Sequence, residues 1–184
     1  SWSSIDYGGN WKALHYAARK FFSPLLVSMR DLDNKIEIHV VNDQHHEVES
    51  EIRLGLFNFN GDTLFNDLSE IDVEPFSSVI YHAFDKDDLL GGSDPSAIIF
   101  RAELLVGGKV LSRAHQFFKR PKHLSIPSPE FDYEIERVSG KYVITVRSKS
   151  FLCQLHLIST KVRGVFSDNY FDMLPGEVQM IDFE

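Results

Sequence analysis

The sequence predicts a mainly β fold: two antiparallel β-sandwich domains preceded by one N-terminal α-helix. Three observations carry this. From residue 25 onward, short segments with alternating apolar and polar residues recur every ~8–12 residues, the beat of an antiparallel sandwich. A proline-punctuated stretch, PKHLSIPSP at 121–129, interrupts that series and reads as a linker between two domains. Helical spacing of apolar residues is confined to the first two dozen positions.

That opening segment, SWSSIDY, turns at Gly8-Gly9 and enters the helix, with Asn10 as the expected N-cap. Trp11, Leu14, His15, Ala18 and Phe22 then recur on one face, with Phe21 beside them, and Pro24 ends the helix. The chain opens without a methionine and without a charged-then-apolar leader. The helix is therefore expected to be the last helix of a larger upstream domain. In its absence the helix is expected to dock on the first sandwich through Trp11, Leu14 and Phe22.

LLVSM is the first expected strand, and KIEIHVV follows with Ile36, Ile38 and Val40 inward and Lys35, Glu37 and His39 outward. VESEIRLGLFNF continues the alternation to a hairpin turn at Asn60-Gly61-Asp62. A short Thr63–Phe65 strand, a connection through Ile71–Val73 and FSSVIYHAF come next. DKDDLLGGSDPS is expected as the longest loop. AIIFRAELLV and KVLSRAHQFF flank Gly107-Gly108 and form the clearest hairpin. Beyond the linker, FDYEIERV, KYVITVRS and FLCQLHLIST give three more strands, and VFSDNYFDMLPGEVQMIDFE a wide turn and a last strand. The domains are thus expected at 25–122 and 123–184, the second short enough that a final strand is expected to be missing, leaving an unprotected edge.

With 43% apolar residues and 15 Phe among 184 residues, the composition supports packed cores. No apolar run approaches the ~18 residues of a spanning helix. Cys153 is the single cysteine, so no internal disulfide forms, and its place in an apolar strand favours a buried structural thiol. Of the net charge of −8, the acidic excess lies in the middle of the chain, between residues 31 and 124. That distribution disfavours nucleic acid or an anionic membrane as partner.

Two ordered segments carry a family resemblance. SWSSIDY, with Trp11-Lys12-Ala13-Leu14-His15-Tyr16 and Phe21-Phe22-Ser23-Pro24, resembles the β-mannosidases of glycoside hydrolase family 2. Phe166-Ser167-Asp168-Asn169-Tyr170-Phe171-Asp172-Met173-Leu174-Pro175-Gly176-Glu177 resembles the signature of that family's last immunoglobulin-like domain. The resemblance implies that residues 1–24 close an upstream (β/α)₈ catalytic barrel and that both sandwiches are immunoglobulin-like. It also implies a parent enzyme that releases terminal β-D-mannosyl residues with retention, or an exo-β-glucosaminidase of the same architecture. Its partners would be the upstream barrel and an oligosaccharide substrate, and its location periplasmic, secreted or lysosomal. In that family both catalytic glutamates lie on earlier barrel strands, and no position here matches either.

The chemistry available in the chain itself is sparse. Glu47, Glu49 and Glu51, like Glu134 and Glu136, alternate along strands and read as solvated acidic faces rather than a catalytic pair. His45-His46 lie adjacent in a turn, a poor arrangement for one ion. Asp85, Asp87 and Asp88 lack the ligand spacing and closing Glu of a calcium loop. No cofactor or metal is expected, and no catalytic residue. A sugar-binding role for the sandwiches would need an exposed aromatic platform, for which Tyr81, Phe84, Phe57 and Phe59 are the candidates. The substrate-binding candidates that the resemblance supplies are Trp2 and Asp6, at the rim of the barrel pocket where strand C-termini end. The competing expectation is that Trp2 packs the barrel–sandwich junction.

Overall fold

A computed structural model describes residues 3–184. The chain forms two compact units, one of residues 21–58 and 62–125, the other of the described residues up to Lys20 with 59–61 and 126–184. The first is a seven-strand sandwich. β1 (Leu25–Asp31), β2 (Lys35–Asn42) and β5 (Ser77–Asp85) form one sheet in the order β1-β2-β5. β3 (Val48–Asn58), β4 (Thr63–Val73), β6 (Ile98–Val106) and β7 (Lys109–Phe117) form the other, in the order β4-β3-β6-β7. All pairings are antiparallel, which gives the immunoglobulin-like split of three and four strands.

Period-two alternation places the core. Ile36, Ile38 and Val40 on β2 face Ile52, Leu54 and Leu56 on β3 and Ile98, Phe100, Ala102 and Leu104 on β6, all fully buried. Each such side chain contributes about 1.5–3 kcal/mol by leaving water. β6 is buried on its other face as well, where Glu103 lies between Arg53 and Arg113.

Two expectations here need correcting. The stretch expected as a short strand plus a connection is one eleven-residue strand, β4, paired with β3 along its length. Asn66, Glu70 and Asp72 face solvent at a sheet edge, and Asp67 and Ser69 interrupt the apolar residues of the other face, which weakens the apolar signal without weakening the ladder. The loop expected after Asp85 begins with a short helix, α2 (Lys86–Leu90). The Asp85 carboxylate caps it by accepting from the Asp87 and Asp88 amides at 3.0 and 3.4 Å, and Gly91 ends it at φ 55°.

The second unit holds β8 (Phe131–Val138), β9 (Lys141–Ser148) and β12 (Val178–Phe183) in the order β12-β9-β8. Against them lies the two-stranded ladder of β10 (Leu152–Leu155) and β11 (Phe171–Met173). Ile144, Val146, Leu152, Phe171, Met173, Ile181 and Phe183 form its core, and Phe59 stacks parallel on Phe151 with centroids 4.2 Å apart. The strand expected through FLCQLHLIST stops at Leu155, because Gln154 takes φ 51° and breaks the register. The two cores share no residue, and only a single 3₁₀ turn (Pro121–His123) lies between β7 and β8.

The N-terminal helix, α1, spans Ala13–Phe21. It starts later than Asn10, whose side chain is engaged elsewhere. Its expected docking is also overturned. The helix belongs to the second unit, and its buried residue is Tyr16, 5% exposed, while Leu14 and Phe22 are 53% and 80% exposed. At 100° per residue, Leu14, Ala17, Ala18 and Phe21 share one stripe. Tyr16, Arg19 and Lys20 lie on the other side, and that side is the docked one.

Candidate functional site

Trp2 lies outside the described residues. Asp6 sits in a closed loop built by residues 4–12. Ile5 and Trp11 bridge across it, the Lys12 amide donates to the Ser4 carbonyl at 2.9 Å, and the Asp6 amide to the Asn10 carbonyl at 3.0 Å. The Asp6 carboxylate accepts from the Asn10 side chain (Nδ2 to Oδ2, 2.8 Å) and the Asn10 amide (to Oδ1, 2.9 Å). These hydrogen bonds, the side-chain one foremost, hold its pKa below the usual carboxylate value. Asp6 is exposed, and what it does in this structure is close the loop that presents α1.

Polar anchors hold α1 to the loop before β11. Burial raises the Tyr16 pKa, against the smaller lowering influence of the neighbouring Asn169 side chain and Phe166 backbone. The Tyr16 ring lies 5.9 Å from that of Tyr170. Lys20 Nζ pairs with Asp168 Oδ1 at 2.8 Å, and Arg19 Nη1 donates to the Ser167 carbonyl at 3.2 Å. The two segments singled out by sequence, HY at 15–16 and SDNY at 167–170, therefore meet within one unit.

Each polar residue of the second segment fixes a piece of backbone. Asn169 is 3% exposed; its Oδ1 accepts from the Leu157 and Tyr170 amides at 2.8 and 3.0 Å, and its Nδ2 donates to the Leu157 carbonyl at 2.9 Å. Asp172 Oδ1 accepts from the amide of Gln154 at 2.6 Å, satisfying the donor that the register break frees. Glu177 Oε2 accepts from the Leu174 amide at 2.7 Å and closes the Pro175-Gly176 turn. Sequence reasoning found this segment as a fold signature and quoted Tyr16 for the resemblance, but gave it no packing role, because its flanking aromatics carried the stronger periodic signal.

The remaining candidates stay apart. Glu47 and Glu49 are exposed and Glu51 is half-buried. Glu134 and Asp132 lie on an exposed face and pair with Arg147 and Lys149. The His45 ring meets Phe76 edge-on at 4.9 Å, and the His46 carbonyl accepts from Asn42. Among the described residues no cluster of three or more His, Cys, Asp or Glu has the arrangement of a metal site. Burial, helped by Asp172, pushes the Cys153 thiol up to about 11, which leaves it protonated and unreactive at neutral pH.

The four aromatic candidates do not form a sugar platform. Phe84 packs edge-on against Phe65 and Phe100 beside the core, and Tyr81 packs against the same cluster. Phe59 is buried against Phe151. Phe57 lies back over Gly55, where any Cβ would come within 2.5 Å of its ring, with the Arg101 guanidinium 5.9 Å from the ring centroid.

Comparison with known proteins agrees with this reading of the fold. Residues 34–123 match the family described as "Mannosidase Ig/CBM-like domain", and residues 126–184 the family described as "Ig-fold domain". The chain is similar over its whole length to Beta-mannosidase A of Emericella nidulans (23% identity, 21% of that protein) and of Aspergillus oryzae (24%, 22%). Beta-mannosidase of Mus musculus matches 33% of this chain at 37% identity, over 7% of its own length. Among solved structures, the fold matches Beta-D-Mannosidase from Dictyoglomus thermophilum with TM-score 0.85 at 23% identity, over 100% of this chain and 22% of that one. An exo-chitosanase from Amycolatopsis orientalis matches with TM-score 0.68 at 14% identity, over 99% and 26%. The chain spans about a fifth of the length of the curated relatives it matches. With two family matches in tandem and full-length similarity to several relatives, the chain belongs to the immunoglobulin-like C-terminal region of the glycoside hydrolase family 2 β-mannosidases.

Proposed function

We propose that this chain is the non-catalytic sandwich region of a β-mannosidase-like glycoside hydrolase, in which residues 1–24 close an upstream (β/α)₈ barrel and residues 25–122 and 123–184 are its two immunoglobulin-like domains. The parent enzyme releases terminal β-D-mannosyl residues with retention. The observation that carries this reading is the end-to-end similarity to Beta-mannosidase A proteins about five times as long.

Retention needs an acid and a nucleophilic carboxylate roughly 5–5.5 Å apart across the bond that breaks, with environments that push their pKa values apart. The strand carboxylates here support assigning that pair to the barrel. Glu49 is solvated, Glu134 is neutralised by a surface arginine, and Glu103 is enclosed by guanidinium groups. The outward stripe Leu14, Ala17 and Phe21 supports placing α1 against a further apolar surface, since it leaves large side chains in water.

The natural-length polypeptide tests the activity. It should hydrolyse an aryl β-mannoside with the β-anomer of mannose formed first, read by proton NMR within the first turnovers. An α-anomer first, or preferential hydrolysis of the aryl β-glucosaminide, overturns the assignment.

A further inference from the structure

Two turns meet at one end of the first sandwich, where β2 and β4 end and β3 and β5 begin. Residues 43–47 join β2 to β3, and residues 74–76 join β4 to β5. A buried side chain fastens the turns together. Asn42, 0% exposed, donates through Nδ2 to the His46 carbonyl at 3.0 Å and the Val73 carbonyl at 2.9 Å, and its Oδ1 accepts from the Gln44 amide at 2.9 Å. The Phe76 amide donates to the Gln44 carbonyl at 3.3 Å, and Ser77 Oγ donates to the Glu74 carbonyl at 2.6 Å. All of these groups lie within one compact unit.

What this scaffold presents is Phe76. Its φ is 50°, a region that a residue with a Cβ enters at a cost. The turn position after Pro75 that takes a positive φ is one where Gly or Asn is favoured. Phe76 gains no burial in return: it is 67% exposed, with the His45 ring edge-on at 4.9 Å. An aromatic ring on a strained backbone, rigidly held and left in water, is not explained by the fold and points to a ligand.

The groups beside the ring indicate its chemistry. Asp43, His45, Glu47 and Glu74 are exposed in the same two turns, and Gln44 is half-buried. Carboxylates only accept hydrogen bonds, whereas the Gln amide and the imidazole both donate and accept. An apolar ring face beside mixed donors and acceptors matches a pyranose, whose C–H groups cover one face while its hydroxyls project from the rim. Three carboxylates disfavour an anion. We infer that this end of the first sandwich is a saccharide-binding shelf, in which Phe76 stacks under a sugar ring and Gln44, His45 and Glu74 meet its hydroxyls. The ligand is a neutral β-mannosyl oligosaccharide, a choice of sugar that rests on the activity proposed above for the parent enzyme. The shelf uses none of Tyr81, Phe84, Phe57 and Phe59.

The test titrates β-1,4-mannohexaose into the 184-residue chain and follows backbone amide shifts by NMR. The shifts should concentrate at residues 43–47 and 74–77. Phe76→Gly should weaken binding about tenfold or more, while the urea midpoint holds or rises, because glycine adopts this φ freely. His45→Ala should weaken binding less and leave the fold intact. Absence of shifts at the two turns, or binding indifferent to Phe76→Gly, overturns the inference. So does binding of a glucosamine hexamer in place of mannohexaose, since the ring and carboxylates are then selecting a cation. A lower urea midpoint for the natural-length polypeptide carrying Phe76→Gly also overturns it, because the ring then packs within that polypeptide. Aryl β-mannoside hydrolysis by the natural-length polypeptide reads the parent activity separately. Hydrolysis without binding at the turns removes the shelf alone, and mannohexaose binding there without hydrolysis removes the activity alone.

Discussion

The Asn169 side chain substitutes for a β-strand at Leu157, accepting from its amide at 2.8 Å and donating to its carbonyl at 2.9 Å. Leu157 lies just beyond the end of β10 and Asn169 just before β11, so one carboxamide continues the ladder where the backbone leaves it. It is 3% exposed. Removing it leaves a buried amide and carbonyl without partners, each costing about 1–3 kcal/mol. Asn169→Ala should lower the unfolding free energy by about 2 kcal/mol or more, read by urea denaturation. A change below ~0.5 kcal/mol, the range of ordinary surface substitutions, would contradict this role.

Tyr16 and Phe22 should behave oppositely despite both being aromatic on or beside α1. Tyr16→Ala removes a buried ring that packs beside Tyr170 and should cost about 3 kcal/mol, with fast hydrogen exchange across residues 13–21. Leu14→Ser and Phe22→Ser should each stay within about 0.5 kcal/mol in this chain, because both side chains are exposed.

Glu103 links acid stability to the outer face of the four-stranded sheet. Burial raises its pKa, but Arg113 and Arg53, with a direct Arg113 Nε–Oε1 hydrogen bond of 2.6 Å, outweigh it, and the net shift is downward. The stabilisation is therefore present above the ordinary carboxylate value of 4.5 and is lost as pH falls through the lower folded-state value. Glu103→Gln should flatten the stability profile between the ordinary value and the lower folded-state value, and lower stability at pH 7. An unchanged acid limb in pH-dependent urea melts would contradict this.

Cys153 should alkylate slowly. With its thiol pushed to about 11 by burial first and Asp172 second, the thiolate fraction at pH 8 is on the order of one in a thousand. The rate with iodoacetamide should keep rising between pH 8 and 10. A plateau near pH 9 would place the thiol in an ordinary environment.

How much was legible follows from what each signal depends on. The β2 alternation Ile36, Ile38, Val40 and the hairpin at Gly107-Gly108 were legible because one face of each strand meets a core inside this chain. β4 was misread because an edge strand keeps its ladder while its polar side chains mimic a connection. α2 was missed although Asp85 before it and Gly91 after it form a start and stop signal. The helix stripe of Leu14 and Phe22 was read correctly as apolar and wrongly as docked: periodicity reports which face is apolar, not whether its partner surface is present. The same limit applies to β8, whose Tyr133 and Ile135 alternate like core residues and are exposed. Of the candidate site, Asp6 was found by resemblance alone, and its structural role with Asn10 had no periodic signature.

The central claim, that this region carries no catalytic pair, is tested most directly by incubating the purified 184-residue chain with an aryl β-mannoside beside the natural-length polypeptide at equal molarity. The account predicts turnover by the natural-length polypeptide alone. Turnover by the 184-residue chain that disappears when Glu47, Glu49, Glu51, Glu134 or Glu136 is changed to Gln would contradict it.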